Sequence, residues 1–166
     1  MNLSQSSINQ VIKEIEVYKN SLATKTDQFL QELAKVGIRE IEDSMSKVVG
    51  DSNPNHYAFV KINSFGNYSK ATLVLQGRDV AFIEFGAGIH YNTAVGTSPN
   101  PLGQKMGFTI GSYGKGLGAN DSWVYYSEEY GRFLKSLGTK AAMPMYNAEV
   151  EMRNKFLSVA KKVFGE

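Results

Sequence analysis

The sequence predicts an α+β fold: a long N-terminal helix, a small antiparallel sheet of three to four strands, a short middle helix, and a C-terminal helix packed on the sheet. Three observations predict it. Apolar residues recur at spacings of three and four over residues 8–48. Two alternating, β-rich runs follow at 57–63 and 69–76. Pro144 then opens a last run with an apolar residue every three or four positions.

Ser7 followed by Gln10 has the capping-box pattern for the first helix. Ile8, Val11, Ile12, Ile15, Tyr18 and Leu22 form one apolar face, which resumes at Phe29, Leu30, Leu33, Val36, Ile41, Met45 and Val48. Ile8, Ile15, Leu22, Phe29 and Val36 are spaced seven apart, so one stripe joins both halves. Two forms fit: a single helix of about 40 residues, roughly 60 Å long, or two helices broken near Thr24-Lys25-Thr26-Asp27, with Thr26 or Asp27 as a cap. So small a domain cannot bury the first half of such an arm. Residues 1–25 therefore read as an N-terminal arm that packs on a neighbouring subunit or lies as a separate short helix. Residues 26–166 read as one α+β domain.

Residues 50–55 are turn-rich. Tyr57, Phe59 and Lys61 alternate with Ala58, Val60 and Ile62, and residues 69–76 return as the second strand of a hairpin. Asp79 suits a helix start and Gly86 a stop, which makes Ala81-Phe82-Ile83-Glu84-Phe85 a helix of one or two turns. A strand is the competing reading, since Phe and Ile favour strands. Residues 86–122 hold nine glycines together with Pro99 and Pro101, the composition of a long irregular loop that binds something or is disordered. Trp123-Val124-Tyr125-Tyr126 is a third strand, and 132–137 suits a fourth. Ala148, Met152, Phe156, Val159 and Val163 are the buried stripe expected of the last helix, with Gly165 at its end.

Composition excludes several functions. The chain has 166 residues, 42% apolar and 20% charged, with a net charge of +2. That charge is too small to argue for nucleic acid. Residues 131–166 carry seven basic and three acidic side chains, a solvated helix face or a contact for an acidic partner. With no cysteine, disulfides, thiolate metal sites and cysteine nucleophiles are out. The start is polar, and no run approaches the roughly 18 apolar residues of a membrane span. The expectation is a protein made and used inside a cell.

No motif carries a reaction. Gly111-Ser112-Tyr113-Gly114-Lys115-Gly116 is glycine-rich, but a phosphate loop needs Ser or Thr after Gly-Lys, to reach Mg²⁺. The loop reads instead as a segment that orders on assembly, with Gly111, Tyr113, Lys115 and Gly118 at an interface. His56 and His90 lack ligand spacing, so no metal or other cofactor is expected. Glu84 with Glu128 or Glu129 meets the bare requirement of glycoside hydrolysis for two carboxyls, a pairing that arises by chance. No Gly-x-Ser-x-Gly elbow exists. Tyr57, Phe59, Lys61, Tyr68 and Lys70 compose an aromatic and basic strand face suited to a single-stranded nucleic acid. The plainer expectation is that one face of those aromatics is core.

Two segments flank the glycine-rich loop: Ala81-Phe82-Ile83-Glu84-Phe85-Gly86 and Ala141-Ala142-Met143-Pro144-Met145-Tyr146-Asn147-Ala148. Together with the order of elements and Trp123-Val124-Tyr125-Tyr126-Ser127, they resemble the minor tail-component family of long-tailed bacteriophages, which acts in tail completion and head–tail joining. The resemblance covers roughly residues 26–164. Val49-Gly50-Asp51-Ser52-Asn53 stands where the family has a Thr-Gly-Arg-Leu-like turn, and Met143 replaces an aromatic residue.

The resemblance implies no reaction. It implies a structural subunit that forms a ring of the neck, six-fold, between tail tube and connector, and that can be monomeric alone. The implied partners are other copies, the tail tube or tail terminator, and the head connector or stopper, without membrane or specific nucleic acid. The implied location is the host bacterial cytoplasm during assembly and then the virion. Phe82, Glu84, Phe85, Gly86, Trp123, Tyr125, Pro144 and Tyr146 are the expected structural and assembly residues. Glu84 is expected to hold the short helix against the Tyr146 region or the last helix. An equivalent subunit of a phage-tail-like bacteriocin, and a phage cell-wall hydrolase, remain the alternatives.

Overall fold

The structure, a computed structural model, describes residues 4–49, 56–65, 68–77, 79–86, 98–103, 105–106, 123–128, 130–136 and 138–165. The fold is α+β, in the order α1 (Gln5–Val49), β1 (His56–Ser64), β2 (Ser69–Gly77), α2 (Val80–Phe85), β3 (Trp123–Ser127), β4 (Arg132–Ser136) and α3 (Pro144–Phe164).

The first helix is continuous over 45 residues, about 67 Å at 1.5 Å per residue. Of the two forms the sequence allows, the single helix is the one found, without a break near residues 24–27. The Thr24 hydroxyl donates to the Asn20 carbonyl at 3.1 Å, and that of Thr26 to the Leu22 carbonyl at 2.8 Å. Both polar side chains are thus satisfied one turn back, inside the helix. The cap also shifts: Ser4, not Ser7, begins the helix, its Oγ accepting the Ser7 amide at 3.2 Å.

β1 and β2 pair antiparallel from His56↔Gly77 to Ser64↔Ser69. Period-two alternation gives this hairpin two unlike faces. Ala58, Leu73 and Leu75 pack against the helices. Tyr57 and Phe59 stack on the opposite face, ring centroids 5.7 Å apart, with the Lys61 ammonium 5.4 Å from the Phe59 centroid. The expectation that one face of these aromatics is core is therefore corrected: Tyr57 and Tyr68 are exposed. The aliphatic face fits the closely packed helices, and the aromatics face outward. Asp27 on α1 accepts hydrogen bonds from the hydroxyls of Ser64 and Ser69 (3.3 and 2.8 Å), which ties one end of the hairpin to the helix.

The four strands do not join into one sheet. β3 and β4 form a second hairpin, Trp123↔Ser136 to Ser127↔Arg132, and among the described residues each hairpin pairs only within itself. Local closure through a short turn costs little entropy, whereas an edge pairing across the intervening residues costs more. Gly131 turns the second hairpin at φ 58°, a left-handed conformation suited to glycine.

α3 lies antiparallel on α1. Asn147 reaches Ser44, Met152 faces Gly37, and Lys162 reaches Glu32. Ala148 is 0% exposed, in a core with Ile41, Met45 and Ile83. Of the expected α3 stripe, Ala148 and Val163 are buried, while Phe156 lies edge-on to Phe29 and keeps one side open. A Cβ on Gly37 would lie 2.8 Å from both Leu73 Cδ2 and Met152 Sδ. Both are ends of flexible side chains, so Gly37→Ala offsets crowding with about 1 kcal/mol of helix propensity. Denaturant melts should place Gly37→Ala within about 1 kcal/mol of the parent and Gly37→Leu at least about 2 kcal/mol below it.

Glu32 binds Lys162 across the helix pair at 2.8 Å and Lys35 at 2.7 Å. Hydrogen bonds from Lys162 and then Lys35 pull its carboxyl from the ordinary 4.5 down to about 2. A carboxyl held that low stabilises the fold above pH 4.5, and the contribution is lost as pH falls toward 2. Melting temperatures of the parent and Glu32→Gln should differ at pH 6 and converge near pH 2.

Candidate functional site

The polar centre of the molecule is the Glu84 carboxylate. Asp79 stands before α2 in a left-handed conformation, φ 60°, without a side-chain cap bond, so it holds the expected position without the expected capping role. Gly86 ends the helix at φ 76°, its amide donating to the Phe82 carbonyl at 2.7 Å. One short, tightly bounded turn thus aims Glu84 inward, where it is 8% exposed.

There it meets the start of α3. Met143 precedes that helix at φ 54° and makes no side-chain cap. Pro144 occupies the first turn and has no N–H to satisfy. The next two amides point out of the helix end, and Glu84 takes both: Oε2 accepts from Met145 N at 2.8 Å, and Oε1 from Tyr146 N at 3.1 Å. A carboxylate on one helix therefore serves as the N-terminal cap of another, where the helix dipole favours negative charge. The Ala142 amide donates to the Ile83 carbonyl at 2.8 Å, a second tie between the same segments.

A third segment joins the knot. Asn100 Nδ2 donates to Glu84 Oε1 at 2.7 Å, while its Oδ1 accepts the Leu102 amide at 2.9 Å. The Ser98 hydroxyl donates to the Phe85 carbonyl, and its oxygen accepts the Asn100 amide at 3.2 Å. Gly103 closes the turn, because a Cβ there would collide with that of Ser98. On the far side, Asn147 Nδ2 donates to the Ala142 carbonyl at 3.0 Å and to Ser44 Oγ at 3.2 Å, linking the knot to α1.

Beside the knot lies an apolar cleft of about 410 Å³ between β2, α2 and α3, lined by Leu73, Leu75, Val80, Phe85, Leu102 and Met152 among others.

Of the residues singled out in the sequence, Phe82, Glu84, Phe85, Gly86, Pro144 and Tyr146 come together here. Trp123 and Tyr125 lie in β3, in the separate hairpin, and Tyr125 is exposed there. Gly111, Tyr113, Lys115 and Gly118 lie outside the described residues, as do His90 and Glu129. Glu128 is exposed at the end of β3. Among the described residues, no three His, Cys, Asp or Glu side chains cluster as metal ligands, and no helix is long and apolar enough to cross a membrane. Sequence reasoning missed Ser98 and Asn100, and it gave Asn147 no role beyond its place in the segment leading into α3. Ser98-Pro99-Asn100-Pro101 carries a turn signal, since Ser-Pro and Asn-Pro steps start turns. Nothing in the sequence says that the turn docks on Glu84.

Compared with protein-family models, curated proteins and solved structures, the chain matches none.

Proposed function

We propose that the chain is a structural subunit of a phage neck, completing the tail or joining it to the head as part of a ring between tail tube and connector. The observation that carries this reading is the Glu84 knot. The two segments that resemble the tail-component family lie about 60 residues apart in sequence, and one carboxylate binds both into a single unit. Both oxygens of that carboxylate accept N–H donors, and the group is buried. It works as a mechanical fastener, which suits an assembly part better than a catalyst.

Exposed apolar surface supports the same reading. The β3–β4 hairpin carries Val124, Tyr126 and Phe133 in the open, with Phe133 72% exposed. Among the described residues this hairpin pairs with no other strand, a two-stranded hairpin is marginal in water, and exposed aromatics suit burial against a neighbour. Replacing Tyr126 and Phe133 together by serine should shift the melting midpoint little, because neither belongs to the core. The same variant should lose incorporation into particles, measured by complementation of a deletion strain. Normal incorporation would exclude this hairpin as a contact.

The reading itself is tested by deleting the gene from an inducible phage. Electron micrographs should then contain separate full heads and tails, or tails with abnormal ends. Intact infectious particles would overturn it.

A further inference from the structure

The apolar stripe of α1 changes surroundings part way along. From Phe29 onward it is covered by α3, whose Phe156 and Phe164 rings stand 5.2 and 5.8 Å from that of Phe29. α3 ends at Phe164. The stripe does not end there. It runs on toward the N-terminus through Leu22, Tyr18, Ile15, Val11 and Ile8, all exposed, with Ile15 at 61% and Tyr18 at 69%. The uncovered length is about 20 residues, or roughly 30 Å of helix. An apolar band this long on an otherwise polar helix marks a contact surface.

We infer that this surface is covered by the same segment of a second copy, lying antiparallel, with the two-fold axis passing between Ile15 and Tyr18. Sterics fix the direction. In a parallel pair, residues 29–45 of the second copy would enter the space that α3 fills. An antiparallel partner instead runs out past Ser4, away from α3. Charge alone favours the parallel form, in which Glu14 faces Lys19 of the other copy. An exposed ion pair is worth at most about 1 kcal/mol, far less than displacing α3.

The antiparallel seam is self-complementary, as an isologous contact must be. In the seven-residue frame set by Ile8, Ile15 and Leu22, Ile15 meets Tyr18 of the other copy and Val11 meets Leu22. On the flanks Ile12 meets Lys19, whose stem can lie along it, and Glu14 meets Ser21, so no like charges face each other. The strip buries on the order of 1,000 Å² in total, near the lower bound for a specific interface. The dimer should therefore dissociate in the micromolar range. This inference does not depend on a place in a phage neck.

The test uses the full chain, which has no native cysteine to interfere with labelling. Light scattering should give a mass that rises from monomer to dimer with concentration. Ile15→Glu with Tyr18→Glu, at exposed positions outside the core, should remain folded by circular dichroism and stay monomeric. Nitroxide labels at Val17→Cys and at Ser6→Cys, each measured by pulsed electron resonance, read the orientation. The pair at 17 should be close, and the pair at 6 separated by about 30 Å along the axis. Equal distances at both positions would mean a parallel pair and overturn the inference. A parent chain that stays monomeric up to about 500 µM, well above a micromolar Kd, would overturn it as well.

Discussion

Replacing Glu84 by alanine should destabilise the protein by about 3–5 kcal/mol, the largest single-residue effect expected in the molecule. The substitution removes one acceptor group and strands three donors. The amides of Met145 and Tyr146 and the side-chain amide of Asn100 all point at the vacated place. A lost N-terminal cap costs about 1 kcal/mol, and each buried donor left unpaired costs about 1–3 kcal/mol more. Water entering from the neighbouring cleft recovers part of that sum. Glu84→Gln keeps one acceptor oxygen and the shape but loses the charge beside the helix end, so about 1–2 kcal/mol is expected. Urea unfolding should rank the parent above Gln and Gln above Ala. An alanine variant as stable as the parent would mean that Glu84 does not fasten α2 to α3. Asn100→Ala removes only one of the three donors and should fall between the parent and Glu84→Ala.

The second large effect is expected at Ile41. It is almost fully buried where α1, α2 and α3 meet, against Ile83 and Ala148. Ile41→Ala should cost about 2–5 kcal/mol, from lost burial and from the cavity left behind. The crowded setting limits collapse: Ala148 has no exposed surface, and Gly37 already brings α1 close to Leu73 and Met152. Ile15→Ala on the same helix should change monomer stability by less than about 0.5 kcal/mol, because its side chain is open to solvent. Equal losses at the two positions would contradict the division of α1 into a covered half and an open half.

That division marks where sequence reading succeeds and where it stops. The heptad spacing of Ile8, Ile15, Leu22, Phe29 and Val36 is local information, and it predicts a helix face wherever the chain sits. It does not say that α3 covers only the portion from Phe29 onward, since that depends on where α3 ends in space. Thr24 and Thr26 look like a boundary in sequence, yet each closes a bond to a carbonyl of its own helix. The sequence by itself determined the α+β order, the strand runs, the turn at Gly86 and the proline start of α3, because each rests on the backbone preferences of neighbouring residues. Only the tertiary structure decided that the strands form two hairpins, that the Tyr57 face looks outward, and that Ser98 and Asn100 join the knot. It also brought Glu84 to the free amides of α3. All of these depend on contacts between residues distant in sequence, whose pairing is set by packing and by the need to satisfy buried donors, and neither leaves a periodic trace in the chain.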